Sequence, residues 1–254
     1  MSLEQKRTDE LNKLIKLSLD NAERIWARSE TLLMLNEEIR IAAKAIASEI
    51  PGYPLVDPID SQVDLFIAMV VDMRDSSKHL LEAISGRVTR VNQLQRVFYE
   101  TSALLPASAK AISYEQGRVT EYLGDGVLAL FLVQERKIDK AIYAAHRAAQ
   151  SCVAEVRDLV NQQLSSRYNL PEIDIGVGLS MSKAIVTLVG TTQYQQPKVI
   201  GECVYRATKL SGGKNEITVD DSIKHRWPTS PDGTVRFRQR QLRGVNGHVV
   251  ERKA

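Results

Sequence analysis

Cysteine is nearly absent. Cys152 and Cys203 are the only two in 254 residues, too few for a disulfide framework or a thiolate zinc site, which points to a reducing compartment and a cytoplasmic location. Long apolar runs are missing too. The longest, Leu65 to Val71 and Val127 to Val133, fall far short of the roughly 20 residues that cross a bilayer, and the charged N-terminus MSLEQKRTDE excludes a signal peptide. There is no dense basic run, and 34 Lys and Arg against 31 Asp and Glu leave a formal charge of +3, so nucleic acid is not the expected partner. No phosphate-binding P-loop exists: Gly212-Gly213-Lys214 is followed by Asn and lacks the upstream Gly. Gly176-Val177-Gly178 lacks the third Gly of a dinucleotide fingerprint, and the four histidines, His79, His146, His225 and His248, have no metal-ligand spacing.

What is present is an ordinary globular composition, 43% hydrophobic and 26% charged. Leu3 to Ile50 contains no Pro or Gly, and apolar residues recur at helical steps (Leu11, Leu14, Ile15, then Leu32, Leu35, Ile39, Ala42, Ile46). This predicts a helical N-terminal extension over 1–50, a Pro/Gly-broken linker over 51–60 and one globular domain over 61–254. The apolar stripe of the extension needs a cover, either its own body or the same helices of a second chain, and the second is the expectation.

Within the body, residues 64–72 read as a buried strand, and SSKHLLEAI as a helix with Ser76 or Ser77 at its N-cap. Residues 118–133 read as a hairpin turning at Gly124-Asp125-Gly126, and 135–164 as one long helix. Then come two strands, EIDIGVGLSM and KAIVTLVG, with a short connection, a helix over 201–212 and closing strands. The order suggests an α/β (α+β) sandwich of the ferredoxin-like type.

Two carboxylates occupy unusual places. Asp72 ends an apolar strand, and Asp125 sits in the hairpin turn. Each is either a turn residue bonding its own backbone or half of a hard-cation site built from carboxylate oxygens. For Asp125 alone, flanked by glycines, the turn reading leads. Asp72 is harder to dismiss, because a strand end leading into a helix also gathers backbone N–H groups around anions.

Four segments in order, Phe66-Ile67-Ala68-Met69-Val70-Val71-Asp72-Met73-Arg74-Asp75-Ser76-Ser77, Leu123-Gly124-Asp125-Gly126-Val127-Leu128-Ala129-Leu130-Phe131, Ile173 to Gly178 with Val189-Gly190, and Val199-Ile200-Gly201-Glu202-Cys203-Val204, resemble the class III nucleotidyl cyclase domain over residues 62 to 250. The resemblance implies a ferredoxin-like core in a head-to-tail homodimer with active sites at the interface. It implies two divalent metal ions (Mn2+ or Mg2+) on Asp72, Asp125 and the Met73 carbonyl, and attack of a nucleoside triphosphate's 3′-hydroxyl on its own α-phosphate. The loop Arg74, Asp75, Ser76 and Ser77 would wrap the phosphates. Arg243 stands where the family has a phosphate-binding lysine; otherwise it is a solvated strand residue.

The chain departs from the family at the base and transition-state positions. Glu121 and Lys198 occupy the base-reading places, with the charges of the adenine-reading pair exchanged, and Tyr205 and Lys209 replace an asparagine and an arginine as the catalytic pair. Lys198, Tyr205 and Lys209 would face the metal half-site from the other subunit. A rebuilt base site with a bulkier residue at 205 implies a smaller base than a purine, as in the pyrimidine cyclases of the bacterial Pycsar antiphage system. UTP is favoured, CTP is the variant, and the cyclic product would be read by a separate effector. The competing expectations are an adenylate cyclase, a cyclase-like module without catalysis, and a plain α/β protein.

Overall fold

The computed structural model describes residues 3–32, 47–56, 62–82, 84, 89, 91–191, 194–229 and 233–252. The expected helical positions at Leu35, Ile39, Ala42 and Ile46 lie outside them, as does the end of the expected linker.

The chain runs α1 (Leu3–Leu32), β1 (Gln62–Met73), α2 (Ser76–Leu81), α3 (Gln93–Tyr114), β2 (Arg118–Tyr122), β3 (Gly126–Leu132), α4 (Ile138–Ser151), α5 (Arg157–Tyr168), β4 (Ile175–Thr191), β5 (Tyr194–Gly201), α6 (Glu202–Leu210), β6 (Glu216–Val219), α7 (Asp221–His225), β7 (Val235–Leu242) and β8 (Val245–Arg252). Among the described residues eight strands form one sheet in the order β2-β3-β1-β4-β6-β8-β7, with β5 paired to β4. Every pairing is antiparallel except β4 with β6.

Alternation on β1 sorts the core into two layers. Ile67, Met69, Val71 and Met73 pack against the helical layer of α1, α3, α4 and α5. Phe66, Ala68 and Val70 face the other way, onto Cys203 and Ala207 of α6. Among the described residues α6 and residues 47–56 cover that second face, and Asp72 continues its parity. Gly176 and Gly178 let α6 and the loop after it lie directly on β4: a Cβ would stand 2.1 Å from the Ser211 carbonyl at the first and 2.1 Å from the Ala207 carbonyl at the second. Close packing, not cofactor binding, accounts for this Gly-Val-Gly.

Four expectations are corrected. The stripe of α1 is covered by its own chain: Leu11, Ile15 and Leu19 are fully buried in the main core, and α1 lies against α3. The two strands expected around Ser182 are one continuous β4, because β1 pairs straight through the polar step (Phe66 with Ser182, Leu65 with Lys183). The helix expected over 135–164 begins with a 3-10 turn at Glu135–Lys137 and contains a π-helical turn at Cys152–Val156. The N-cap of α2 is Asp75, in the left-handed region at φ 57°, and neither serine caps it through its side chain.

Residues 47–56 fold back against the α6 face. Ala47 bridges Leu55, Tyr53 N–H donates to the Ile50 carbonyl at 2.9 Å, and Ile50 is buried against Phe66 and Leu130.

Candidate active site

Antiparallel register delivers both aspartates to one end of the sheet. Asp72, the penultimate residue of β1, pairs with Gly126, the residue after Asp125, and the Met73 N–H donates to the Asp125 carbonyl at 3.2 Å. Glycine is required at 126 because a Cβ there would lie 2.4 Å from the Val71 carbonyl oxygen. Leu123 N–H closes the turn onto the Gly126 carbonyl at 2.8 Å.

The loop after β1 folds onto these carboxylates. The Arg74 guanidinium donates to the Asp72 side chain, and its Nε reaches the Asp72 carbonyl at 3.4 Å. Ser76 Oγ donates to the Asp125 carboxylate. Arg74 is fixed from behind, since its backbone N–H donates to the Asp174 carbonyl at 2.7 Å, while the Asp174 carboxylate pairs with Lys214 at 2.7 Å. Asp75 is exposed and pairs with Lys78 at 3.2 Å. Ser77 is exposed at the start of α2, a helix of six residues too short to bring a strong dipole, which leaves the Arg74 guanidinium as the main positive group of this loop.

Arg243 arrives from the far side of the sheet. It is a turn residue rather than a strand residue: Arg243 and Gly244, both left-handed at φ 48° and 82°, connect β7 to β8. Its Nη2 stands 3.9 Å from Asp72 Oδ2, with its stem over Gly212. Burial, followed by repulsion from Arg243, lowers the pKa of Arg74. Two guanidiniums thus crowd one carboxylate, a local excess of positive charge with the geometry to bind phosphate oxygens.

The donor set suits a hard divalent cation carried in with a triphosphate. Two carboxylates and a backbone carbonyl cannot complete six-fold oxygen coordination, and phosphate and water oxygens would supply the remainder. Among the described residues no cluster of three or more His, Cys, Asp or Glu forms a self-contained metal cage.

The other expected residues form two further groups. Lys198 Nζ on β5 lies 2.7 Å from Glu121 Oε2 on β2, both side chains about a quarter exposed (29% and 25%). On α6, Lys209 Nζ sits 5.5 Å from the Tyr205 ring centroid, and Tyr205 is 60% exposed. No contact within the described residues joins Tyr205 or Lys209 to Asp72 or Asp125.

Sequence reasoning passed over a trio built on a buried carboxylate beneath α2. Glu100 on α3 is fully buried, receiving Arg96 Nε at 2.9 Å and His79 Nδ1 at 2.9 Å. A charged residue within an otherwise apolar stretch of α3 was the available signal.

No protein-family model matches the chain. Two curated proteins are similar: an adenylate cyclase of Anabaena cylindrica, 28% identical over 116 residues (46% of this chain, 22% of that protein), and the terminal-differentiation-specific adenylate cyclase of Dictyostelium discoideum, 21% identical over 155 residues (61% and 6%). The chain therefore spans under a quarter of either relative. Among solved structures, the guanylyl cyclase Cya2 superposes with a TM-score of 0.59 at 17% identity, over 76% of this chain and 95% of that one. The fold is that of the class III nucleotide cyclases. The adenylyl cyclase CyaB of P. aeruginosa agrees, with a TM-score of 0.57 at 15% identity over 77% and 97%. In this chain α1 docks on the helical layer through Leu11, Ile15 and Leu19. No helix among the described residues is long and apolar enough to cross a membrane.

Proposed function

We propose that this protein is a metal-dependent nucleotide cyclase acting on a pyrimidine nucleoside triphosphate, UTP before CTP. The supporting observation for the reaction class is the meeting of Asp72 and Asp125 at adjacent strand ends, with Arg74, Ser76 and Arg243 gathered on them. Two divalent cations, held by both carboxylates and the Met73 carbonyl, supply Lewis-acid stabilisation of the phosphates when bound. The chain's own groups do the remainder. Arg74 and Arg243 exchange the Asp72 carboxylate for phosphate oxygens, and the Arg74–Ser77 loop orients the triphosphate. The substrate's 3′-oxygen bonds to its α-phosphorus, the bond to the pyrophosphate oxygen breaks in line, and the hydroxyl proton leaves to solvent. Lys209 and Tyr205 of a second subunit supply a cation and a hydroxyl to the charge developing on the α-phosphate.

For the base, the support is the Glu121–Lys198 pair and the bulk of Tyr205. A carboxylate and an ammonium 2.7 Å apart match an adjacent N–H donor and carbonyl acceptor, the N3 and O4 edge of uracil, and a mismatched edge leaves a buried polar group unpaired. The product would act as a messenger for a separate effector in antiphage defence. An adenylate cyclase is the second reading, favoured by the names of both curated relatives.

Incubating the full chain with each of the four nucleoside triphosphates and manganese tests both levels. Cyclic UMP as the dominant product is expected. Dominant cyclic AMP replaces the base assignment, and no cyclic product from any of the four overturns the reaction class. Mixing Asp72→Ala with Lys209→Ala subunits should restore part of the activity that each lacks, and absence of rescue removes the shared site.

A further inference from the structure

We infer that His79 is a positioning residue, a strut that holds the phosphate-wrapping loop by anchoring α2 to the buried Glu100 carboxylate. The inference rests on the nucleotide reading of the site for its consequence, and on geometry alone for its mechanics. Helix α2 buries none of its six residues, and its two leucines, Leu80 and Leu81, are 45% and 77% exposed. So short a helix has no stability of its own in water and gains little here from apolar packing. Its polar ties are therefore decisive. At the loop end Ser76 bonds Asp125. Toward the other end His79, with only 13% of its side chain exposed, donates through Nδ1 to Glu100 Oε2 at 2.9 Å.

Glu100 is an unusual anchor. A carboxylate with no exposure is costly to bury unless it is fully paired. The Arg96 bond to Oε1 is internal to α3, four residues apart, and joins no elements. Among the described residues, the His79 bond is the one that carries this buried charge across to α2. Between Asp72 and His79 lie the loop and one helical turn, whose Lys78 and His79 N–H groups both donate to the Asp75 carbonyl, at 2.8 and 3.1 Å. The left-handed Asp75 is the pivot. Release of His79 leaves the loop and α2 held by the Arg74 N–H on the Asp174 carbonyl and by the Arg74 and Ser76 side chains on the two carboxylates, all at the loop end.

Hydrogen exchange in the metal-free, nucleotide-free protein reads the strut directly. In His79→Leu, the amides of 78–82 should exchange about tenfold faster or more, the size set by one hydrogen bond to a charged group, and this local increase should exceed the one that the rest of the chain shows from leaving buried Glu100 with one partner fewer. KM for the triphosphate should rise several-fold with kcat little changed. His79→Asn places an amide N–H where Nδ1 stood and should restore both, whereas His79→Gln, with its donor displaced, should not. Unchanged exchange over 78–82 overturns the strut. So does an increase over 78–82 no larger than that over the rest of the chain, which marks a purely structural residue. A parent protein that turns over no triphosphate removes the proposed function, while the exchange result still decides the strut.

Discussion

Lys198 and Glu121, from strands that are not neighbours in the sheet, meet at 2.7 Å. The pair is local to one chain and partly solvent-accessible, so its value to stability is small, under about 1 kcal/mol, and its weight falls on recognition. Exchanging the charges with Glu121→Lys and Lys198→Asp should keep the fold and move selectivity toward ATP. The ratio of kcat/KM for UTP over ATP is expected to fall by about 10- to 100-fold, the discrimination of one paired edge. An unchanged ratio removes these two residues from base reading.

Asp72→Asn and Asp125→Asn should each lower turnover by about a thousandfold, since several kcal/mol of charge stabilisation leave with one carboxylate. Each should also abolish the rise in melting temperature that manganese with a nucleoside triphosphate gives the parent. Gly126→Ala tests the same site through the backbone. Its methyl meets the Val71 carbonyl at 2.4 Å and must push the Asp125 turn away from Asp72, so a tenfold or greater loss of turnover is expected, and parental activity would show the register to be unimportant.

Both aspartates and the hairpin between β2 and β3 were legible because a buried strand cut off by a carboxylate, and a Gly-Asp-Gly turn between strands, are local signals. Their adjacency was legible only through the family resemblance. Other features were hidden because tertiary contacts made them. Ser182-Lys183 looks like a turn, yet Ser182 Oγ accepts the Cys203 N–H at 2.8 Å at the start of α6, which lets a polar residue stay within β4. The cover over α1 depends on which surface α3 offers, and the His79–Glu100 tie joins residues whose separation in the sequence has no period.

Acid should destabilise the fold through His146. This imidazole is buried edge-on against Trp227, ring centroids 4.9 Å apart, and burial, aided by Arg147 and Arg252, lowers its pKa to about 4. The unfolded chain, titrating near 6.5, binds the proton first on acidification. The contribution is therefore fully present above about pH 6.5 and is lost as pH falls toward about 4, amounting to about 3 kcal/mol. His146→Phe should flatten the dependence of melting temperature on pH across that window, and a slope equal to the parent's would assign the acid sensitivity elsewhere.

Ile15→Ala should destabilise the whole domain by about 2–5 kcal/mol, because Ile15 has no exposure and belongs to the same core as β1 and α3. Chemical denaturation should remain a single transition with its midpoint lowered. A separate early transition, leaving the rest of the chain unaffected, would mean that α1 unfolds independently.

Because Leu11, Ile15 and Leu19 are already committed to α3 and its neighbours, this stretch of α1 cannot also zip against another copy without peeling away and opening the interior to water. Self-association through it would compete with folding itself. In the proposed dimer a second subunit would look instead to the side of the sheet that carries Asp72, covered among the described residues by α6 and residues 47–56, so the act of pairing and the completion of a reaction centre would become a single event.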